Sequence, residues 1–560
     1  MRTAPFSDGT PLVTQWPIPP GHFFDYEVRP EVGDAGTYFY HSHSGFQAVT
    51  AHGHLIVREA EEHPYQYDHE IAILITDWYT QTDSEIESAL RSEHFTWPGE
   101  PEALILNGRS GMSSLSNASH DSCKPSVITV IPGTTYRVRF ASPAALAHII
   151  LDIEGHTDLT VIEADGRYTK PARTDHIQLG SGQRFSVLLT TKSSSELWAD
   201  GKGGEYWINF RTPDGPGGSY LSGRALLKYR RGNSTQLYGK PFYNEYGRAP
   251  YGNYENPFYR KHGKPFYRKS GRPSYSKRAY PGAHNRHRKH PTAPPHAQLP
   301  GKPDVSVNNL WTTWLEYTLE PLDTSLSFPT LDEVTRTLHI NVTMDNEDGG
   351  QLKFKMNDVA WDEVSFGQRP GAIPYLIDAY VNQRSPDYDA AMENYGWDPR
   401  SLGFPVRVGE VIDIVWQQTN IDARRSYEYH PMHAHGERYW DLGAGAGEYD
   451  PVANEQRFTH YTPALRDTTI LYSYNGDGNE NTSAWRAWRY RITEENIGAW
   501  LIHCHLLHHM IMGMQTAWFF GDATEVLRNL PHPYIAGYLE YGGSAYGNSS
   551  YDPFVLSYFD

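Results

Sequence analysis

Cysteine is the scarcest residue type in this sequence, with two copies, Cys123 and Cys504, among 560 residues. Two thiols are too few for a disulfide framework. Long apolar runs are also missing, because no stretch of about 20 apolar residues occurs and the mean hydropathy is −0.61. These features argue against a membrane-spanning helix. Residues 1–5 contain no apolar core of a secretion signal.

Positive charge is in deficit. The chain has 49 lysines and arginines against 66 aspartates and glutamates, a formal net charge of −17. This balance argues against nucleic acid as the main partner. At about 150 residues per domain, the length corresponds to three or four domains.

The stretch around the second cysteine carries the strongest chemical signal. His503, Cys504 and His505 follow one another, His509 lies five residues after the cysteine, and Met514 five residues later. Thiolate and imidazole are ligands for copper or zinc, and one cysteine, two histidines and a weak axial methionine form the blue-copper electron-transfer site. One more histidine must come from elsewhere in the chain.

The two histidines beside this cysteine predict a second metal site. On an extended segment, neighbouring side chains point to opposite faces. If Cys504 faces one metal, His503 and His505 face the other side. Electrons could then pass between the two sites through a few covalent bonds.

Two further histidine clusters can supply the missing ligands. One is His-Ser-His at residues 41–43, and the other is His-Pro-Met-His-Ala-His-Gly at residues 430–436. Any single pair could be two surface histidines, but three clusters in one chain favour metal binding. The motifs HSH, HPxHxHG and HCHxxxHxxxxM, in this order, resemble those of the multicopper oxidases (laccases, ascorbate oxidases and ferroxidases), and most closely those of the fungal members.

This resemblance implies an all-β fold of three consecutive cupredoxin-like Greek-key sandwich or barrel domains, the first of them incomplete. The expected domains are residues 1–62, 63–232 and 303–560. Between the last two lies a segment, 233–302, in which residues 240–290 hold 13 basic and two acidic side chains. High charge, many prolines and glycines and few aliphatic residues predict a disordered insert there.

Several apolar or alternating runs predict strands. They lie at residues 22–31, 36–40, 54–58, 71–78, 127–130, 136–140, 161–166, 182–189, 409–416 and 488–492. Pro132 and Gly133 separate two of these runs, which predicts a hairpin over residues 127–140.

The segment from Asp8 to Gly21 resembles the family pattern DGxxxxTQxPIxPG. In the family, an HxHG motif comes roughly ten residues earlier, whereas seven residues precede Asp8 here. The resemblance therefore implies an N-terminally truncated chain that lacks two cluster histidines, with weaker copper retention. A signal peptide and a partner for Cys123 are expected to have been lost with the same segment.

The resemblance also implies the ligands of each copper. The type 1 copper would take His430, Cys504 and His509, with Met514 as the axial ligand. One type 3 copper would take His43, His435 and His503, the other type 3 copper His41 and His505, and the type 2 copper His433. Cys504, His503 and His505 would form the electron path.

Acidic residues are expected near both sites. Asp8 is the candidate proton donor for oxygen reduction, although an aspartate before glycine is also an ordinary turn residue. The second acidic position of the family is Leu507 here. Glu163 and Asp165 are candidate substrate contacts, and the alternative is that they only flank the turn at Gly166.

The resulting hypothesis is a copper-dependent oxidase that couples one-electron oxidation of phenolic reductants to reduction of O2 to water. The alternatives are a ferroxidase that takes Fe(II), or a truncated non-catalytic copper-binding paralogue. A monomer, secreted or in the cell wall, is expected. Five Asn-x-Ser/Thr sequons agree with glycosylation, at Asn117, Asn233, Asn341, Asn481 and Asn548.

Overall fold

The computed structural model of the protein describes residues 4–20, 22–60, 63–110, 125–212, 221–230, 318–345, 350–418, 429–472 and 483–530. Cys123, the insert at 233–302 and four of the five sequons lie outside these ranges. Strands dominate the described part, which confirms the all-β prediction. No helix of the described ranges is long and apolar enough to cross a membrane.

The N-terminal part contributes a two-stranded antiparallel sheet. Its strands are β1 (Gly36–His41) and β2 (His52–Val57). In their register Gly36 is opposite Val57, and His41 is opposite His52. The predicted strand at 22–31 is wrong, because this stretch has no regular secondary structure. The backbone amide of Glu27 donates to the Ser7 hydroxyl (2.8 Å) and not to a neighbouring strand.

The middle part is built from two sheets of six and five strands. In order along each sheet they run β4-β3-β6-β11-β8-β9 and β10-β7-β12-β13-β5. The strands are β3 (His69–Trp78), β4 (Ala103–Leu106), β5 (Val127–Val130), β6 (Thr135–Ala141), β7 (Ile149–Ile153), β8 (Leu159–Ala164), β9 (Arg167–Thr174), β10 (His176–Leu179), β11 (Arg184–Thr190), β12 (Glu205–Arg211) and β13 (Ser222–Tyr229). One core of aliphatic and aromatic side chains, including Ile73, Phe140, Val187 and Phe210, is buried here.

The structure corrects the hairpin predicted over residues 127–140. Both strands form, but β5 pairs in parallel with β13, whereas β6 pairs with β3 and β11 in the other sheet. The turn between them is bonded by residues that follow β11, since the Gly133 amide donates to the Lys192 carbonyl (3.0 Å). The Pro-Gly turn therefore carries the chain from one sheet to the other.

The C-terminal part repeats this two-sheet plan. Its sheets run β15-β14-β17-β22-β19-β20 and β16-β24-β23-β18-β21. The strands are β14 (Arg336–Asp345), β15 (Lys353–Met356), β16 (Gly403–Val406), β17 (Val411–Gln418), β18 (Tyr429–Ala434), β19 (Tyr439–Ala446), β20 (Leu465–Arg466), β21 (Thr468–Tyr472), β22 (Ala484–Arg491), β23 (Gly498–Cys504) and β24 (Gln515–Phe520). Four fully buried tryptophans fill this part, Trp416, Trp488, Trp500 and Trp518.

Short helices connect and flank the sheets. They are α1 (Asp83–Leu90), α2 (Ser194–Asp200), α3 (Glu363–Gly367), α4 (Tyr375–Asn382), α5 (Tyr388–Met392), α6 (Pro451–Glu455), α7 (Leu507–Ile511) and α8 (Ala523–Asn529). Helix α1 begins with a capping box in which Thr82 and Glu85 bond each other's backbone amides. Helix α7 follows β23 after two residues and so lies at the end of the strand that carries the histidine–cysteine motif.

Candidate metal centre

Two neighbouring strands place histidine and cysteine side chains on opposite faces. Strands β18 and β23 run antiparallel, with Met432 opposite Cys504 and His433 opposite His503. Because side chains alternate along a strand, His430 shares the face of Cys504, two residues from Met432. His433 and His503 share the other face. The predicted division of the motif between two sites follows from this register.

The first face holds one sulfur and two imidazoles. The Cys504 Sγ atom lies 3.9 Å from Nδ1 of His430 and 3.8 Å from Nδ1 of His509. The two Nδ1 atoms are 3.0 Å apart. Three ligand atoms that converge this closely can hold one metal ion. We call these residues, with Met514, the cysteine site.

Apolar side chains surround the cysteine site. His430, Cys504 and Met514 are fully buried, whereas His509 is half-buried. The Phe354 ring centroid lies 4.4 Å from that of His509 and 5.8 Å from that of His430. The Met514 carbonyl accepts from the Cys504 amide, and the Met514 amide donates to the His509 carbonyl, each at 3.0 Å. The axial candidate is thus tied to two of the ligands through the backbone.

Burial sets the charge state of the cysteine site. It raises the pKa of the Cys504 thiol well above its usual range and lowers the pKa of His430 to about 3. A thiolate in this apolar place needs a bound cation to stabilise it. The neutral imidazole of His430 beside it is a suitable ligand, so the residues present fit a copper ion.

The second face belongs to a cluster of six imidazoles. The Nε2 atom of His503 lies 3.4 Å from Nε2 of His43 and 3.2 Å from Nε2 of His435. Neighbouring ring centroids in the cluster are 5.0 to 5.7 Å apart. We call the six residues the histidine cluster; they are His41, His43, His433, His435, His503 and His505.

Five of these six rings are held at Nδ1 by oxygen atoms. Three Nδ1 atoms lie near backbone carbonyls: His41 near Ser42 (2.9 Å), His433 near Asp467 (3.0 Å) and His503 near Cys504 (2.8 Å). The other two lie near side chains: His435 near the Asp8 carboxylate (2.8 Å) and His505 near the Ser181 hydroxyl (2.9 Å). An Nδ1 that donates to oxygen leaves the Nε2 lone pair for a metal. These donors therefore fit metal ions bound between the rings.

Burial also keeps four of the cluster histidines neutral. Burial and the neighbouring imidazoles lower the pKa of His41 to about 3. The pKa of His435 is lowered to about 4, mainly by burial. The same causes hold the pKa values of His503 and His505 well below the usual range. Every one of these four rings is neutral at pH 7 and available as a ligand.

Asp8 is in contact with the histidine cluster, as predicted. Its carboxylate accepts from Nδ1 of His435 at 2.8 Å and from the Thr10 hydroxyl at 3.1 Å. Burial by itself would raise the pKa of Asp8, but the contact with His435 more than offsets it and holds that pKa well below the usual range. Asp8 is therefore ionised beside the cluster, and its carboxylate fixes the orientation of the His435 ring.

Asp467 is a second carboxylate near the cluster, and the sequence did not predict it. Arg184 donates to both oxygens of Asp467, at 2.6 Å each. The Asp467 carboxylate lies 3.7 Å from Nδ1 of His433. Burial would raise the pKa of Asp467, but Arg184 holds it well below the usual range. No metal-ligand motif surrounds Asp467 in the sequence, so only the fold reveals it.

The structure corrects the substrate role predicted for Glu163 and Asp165, since both side chains are fully buried. Glu163 pairs with Arg137 at 2.6 Å and bonds Thr37. Asp165 pairs with Arg466 at 2.6 Å. Buried carboxylates are held by such pairs and are not offered to a reductant from solvent. Asp165 has φ +46° and Gly166 φ +76°, which agrees with the alternative that this segment is a turn.

The second acidic position of the family is occupied by Leu507, which carries no carboxylate. Its side chain is buried in the apolar core, and its backbone amide donates to the Ala145 carbonyl at 2.9 Å. The acidic side chains that the structure places near the cluster are those of Asp8 and Asp467.

A group of aromatic side chains around His508, the residue before His509, was also not predicted from the sequence. The ring of His508 lies 5.2 Å from that of Trp97, 5.2 Å from that of Phe46 and 5.9 Å from that of Tyr79. Trp97 is 39% exposed, and its Nε1 donates to Glu100 at 3.2 Å. Burial raises the pKa of Glu100. An exposed indole thus lies beside the residue that precedes His509, and Glu100 accepts a hydrogen bond from that indole.

Comparison with protein families gives three matches. Residues 1–62, 69–230 and 373–520 each match a family model described as multicopper oxidase. The multicopper oxidase aurL2 of Gibberella zeae is 44% identical over 570 residues, covering 100% of this chain and 84% of that protein. The laccase-like multicopper oxidase 1 of Thermothelomyces thermophilus is 37% identical, covering 100% and 83%.

More distant similarities agree. An L-ascorbate oxidase of Cucurbita pepo is 28% identical, covering 96% of this chain and 85% of that protein. Among solved structures, the multicopper oxidase Fet3p, which functions in iron import, aligns with a TM-score of 0.63 at 19% identity, covering 98% and 84%. The laccase of Botrytis aclada aligns with a TM-score of 0.57 at 19% identity, covering 94% and 79%. At these identities the two structures show a shared fold.

Proposed function

Because this chain belongs to the multicopper oxidase family, we propose that it oxidises phenolic reductants one electron at a time. It is a copper-dependent oxidoreductase with O2 as the electron acceptor, and the family implies type 1, type 2 and type 3 copper centres. When bound, these ions supply the electron transfer and the reduction of O2 to water. The residues that hold them, and the reductant, are our proposals.

We assign the cysteine site to the type 1 copper and the histidine cluster to the type 2 and type 3 coppers. One observation carries this assignment: Cys504 Sγ lies within 4 Å of two imidazole nitrogens while the adjacent His503 faces two others. His503, Cys504 and His505 are consecutive residues, so the two sites are joined by a few covalent bonds. The ring of His503 also bonds the carbonyl of Cys504 at 2.8 Å, which adds a second connection.

The reductant is proposed to approach the cysteine site beside His509. His509 is the half-buried member of the site, and partly buried apolar side chains, including Phe95, Leu146 and Leu352, pack against the surrounding core. Apolar and aromatic surface suits a phenol ring. We assign Glu100 as the group that accepts the phenolic proton, because its pKa is raised and it bonds the exposed Trp97.

Glu100→Gln tests the reductant class. We expect it to lower kcat/KM for 2,6-dimethoxyphenol by about 10²-fold, as for loss of a general base, and to leave oxidation of ferrocyanide unchanged because ferrocyanide carries no proton. A base must be ionised to act, so parent activity towards the phenol should rise with pH through the raised pKa of Glu100. That rise should vanish in the variant. Oxygen uptake against pH measures both.

Glu93→Gln is the matched control, because Glu93 is an exposed glutamate of the same segment and should behave as the parent. Equal loss with phenol and ferrocyanide would show that Glu100 supports the fold and not the proton transfer. A parent protein that oxidises Fe(II) or ascorbate far faster than any phenol would refute the phenolic reductant.

Met514→Leu tests the axial assignment. Leucine has a similar volume, so this substitution at a fully buried position should lower the folding stability of the protein by less than about 1.5 kcal/mol. The blue copper should stay bound, because the thioether is a weak ligand. Loss of the sulfur removes electron donation that favours Cu(II), so the reduction potential should rise. Redox titration of the blue band measures it, with Met510→Leu as a buried methionine control; an unchanged potential would remove Met514 from the site.

Further features remain proposals. Domain boundaries at 1–62, 63–232 and 303–560, a monomeric state and a secreted or cell-wall location rest on the family resemblance. Of the five sequons, Asn341 lies in the described ranges, exposed on β14. An exposed asparagine agrees with glycosylation in a secreted chain.

A further inference from the structure

We propose that Ser181, in the middle part of the chain and outside every copper-ligand motif, is a positioning residue for the histidine cluster and acts through His505. Its Oγ lies 2.9 Å from Nδ1 of His505, and both residues are almost completely buried. The inference rests on the proposed function, because it takes His505 as a copper ligand.

The hydrogen bonds at Ser181 select one tautomer of His505. The Ser181 hydroxyl donates to the carbonyl of Ala144 and also lies 2.9 Å from the carbonyl of His505. With its own proton directed at a carbonyl, the hydroxyl can only accept from Nδ1. Nδ1 of His505 therefore carries the proton, and Nε2 keeps the lone pair that a metal needs.

The neighbouring glycine allows this contact. Gly182 has φ +85°, and a Cβ built on it would lie 2.6 Å from Cδ2 of the His505 ring. Both the backbone conformation and the close approach exclude a side chain there. The loop thus lies directly against one side of His505 while Ser181 holds the ring nitrogen, so the ring can neither tilt towards the loop nor turn over without breaking a buried hydrogen bond.

The acceptor of the Ser181 proton is itself fixed in place. The fully buried carboxylate of Asp77 accepts from the amides of Ala145 (2.8 Å), Leu146 (2.8 Å) and Ala147 (3.0 Å). The Ala145 carbonyl in turn accepts from the amide of Leu507, two residues after His505. The Asp77-bound loop therefore holds the histidine–cysteine strand at its end and orients Ser181 towards it.

Ser181→Ala provides the test, and Ser142→Ala is its matched control. Ser142 is also a fully buried serine, its hydroxyl has no hydrogen-bond partner among the described residues, and its carbonyl accepts from the Gly182 amide (2.8 Å). Both changes remove one buried hydroxyl, from two loops that are hydrogen-bonded to each other. Only the first removes a contact to His505.

The readouts are copper per chain after dialysis against a chelator, the blue absorption, and the melting temperature of the copper-free protein. We expect Ser181→Ala to bind cluster copper about 10- to 100-fold more weakly, as for loss of an outer partner of a ligand. Its blue absorption should match the parent, and its copper-free form should stay folded with a slightly lower melting temperature, because a buried hydrogen bond is lost. Ser181→Thr, which keeps the hydroxyl, should retain more copper than Ser181→Ala, and Ser142→Ala should retain as much as the parent.

His505→Ala distinguishes the ligand assignment of His505 from the positioning role of Ser181. It should lose the same copper, and adding Ser181→Ala to it should cause no further loss. Parent-like copper retention in His505→Ala would refute the ligand assignment under the proposed function. Copper loss in His505→Ala but none in Ser181→Ala would overturn the positioning role alone. The role is also overturned if Ser142→Ala loses as much copper as Ser181→Ala, or if the copper-free Ser181→Ala protein is unfolded or melts well below the parent.

Discussion

Cys504→Ser is expected to abolish both the blue absorption and the oxidation of every reductant. The hydroxyl is a hard, weakly acidic group, whereas the type 1 ion needs a thiolate. Burial already raises the pKa of the Cys504 thiol, so a serine at this position would stay neutral. Serine and cysteine are close in size, and the fold should therefore persist while the site loses its strongest ligand.

The measurements are the visible spectrum, copper per chain and oxygen uptake. Met432→Leu is the control, because Met432 lies opposite Cys504 in the strand register and is fully buried. It alters packing beside the sulfur at nearly constant volume and takes away no proposed ligand. Parent-rate oxidation by Cys504→Ser would place Cys504 off the electron path. Equal damage in Met432→Leu would mean that packing alone explains the loss.

Asp8→Asn is expected to have the second largest effect, a fall in kcat of about 10²-fold or more, which is the usual contribution of a positioned acid or base. The amide oxygen can still accept the hydrogen bond from His435, but it cannot take up or release a proton. Reduction of O2 to water consumes protons, and Asp8 is the carboxylate that bonds a cluster histidine directly, at 2.8 Å. The KM for the reductant should stay the same, because the reductant is proposed to bind at the cysteine site.

A two-part assay isolates the step. Bleaching of the blue band by reductant without O2 should proceed at the parent rate, whereas its return on addition of O2 should be slow. Asp25→Asn, which changes an exposed carboxylate of the same N-terminal part, should leave both rates unchanged. Slow bleaching in Asp8→Asn would move the role of Asp8 to electron uptake, and parent-like kcat would remove it from proton delivery.

Two predictions from the sequence were wrong because the outcome depends on residues that are distant in the chain. The runs at 127–130 and 136–140 have strand character, yet the strands join different sheets, since β5 finds its partner in β13 and β6 finds β3 and β11. A Pro-Gly turn is compatible with either connection. The acidic pair at 163 and 165 likewise looks available in the sequence, but arginines from other strands bury it in ion pairs.

The sequence by itself predicted the ligand residues that are proposed for the two metal sites. The spacing of His430, His433, His503 and Cys504 is a local property, and the alternation of side chains along a strand separates the two faces wherever such strands form. Only the tertiary structure decided which groups hold and serve those ligands. Ser181 and His505 are 324 residues apart and meet because loops of the middle part lie against the end of the histidine–cysteine strand. Contacts of this kind depend on nonlocal packing, which leaves no spacing signal in the chain.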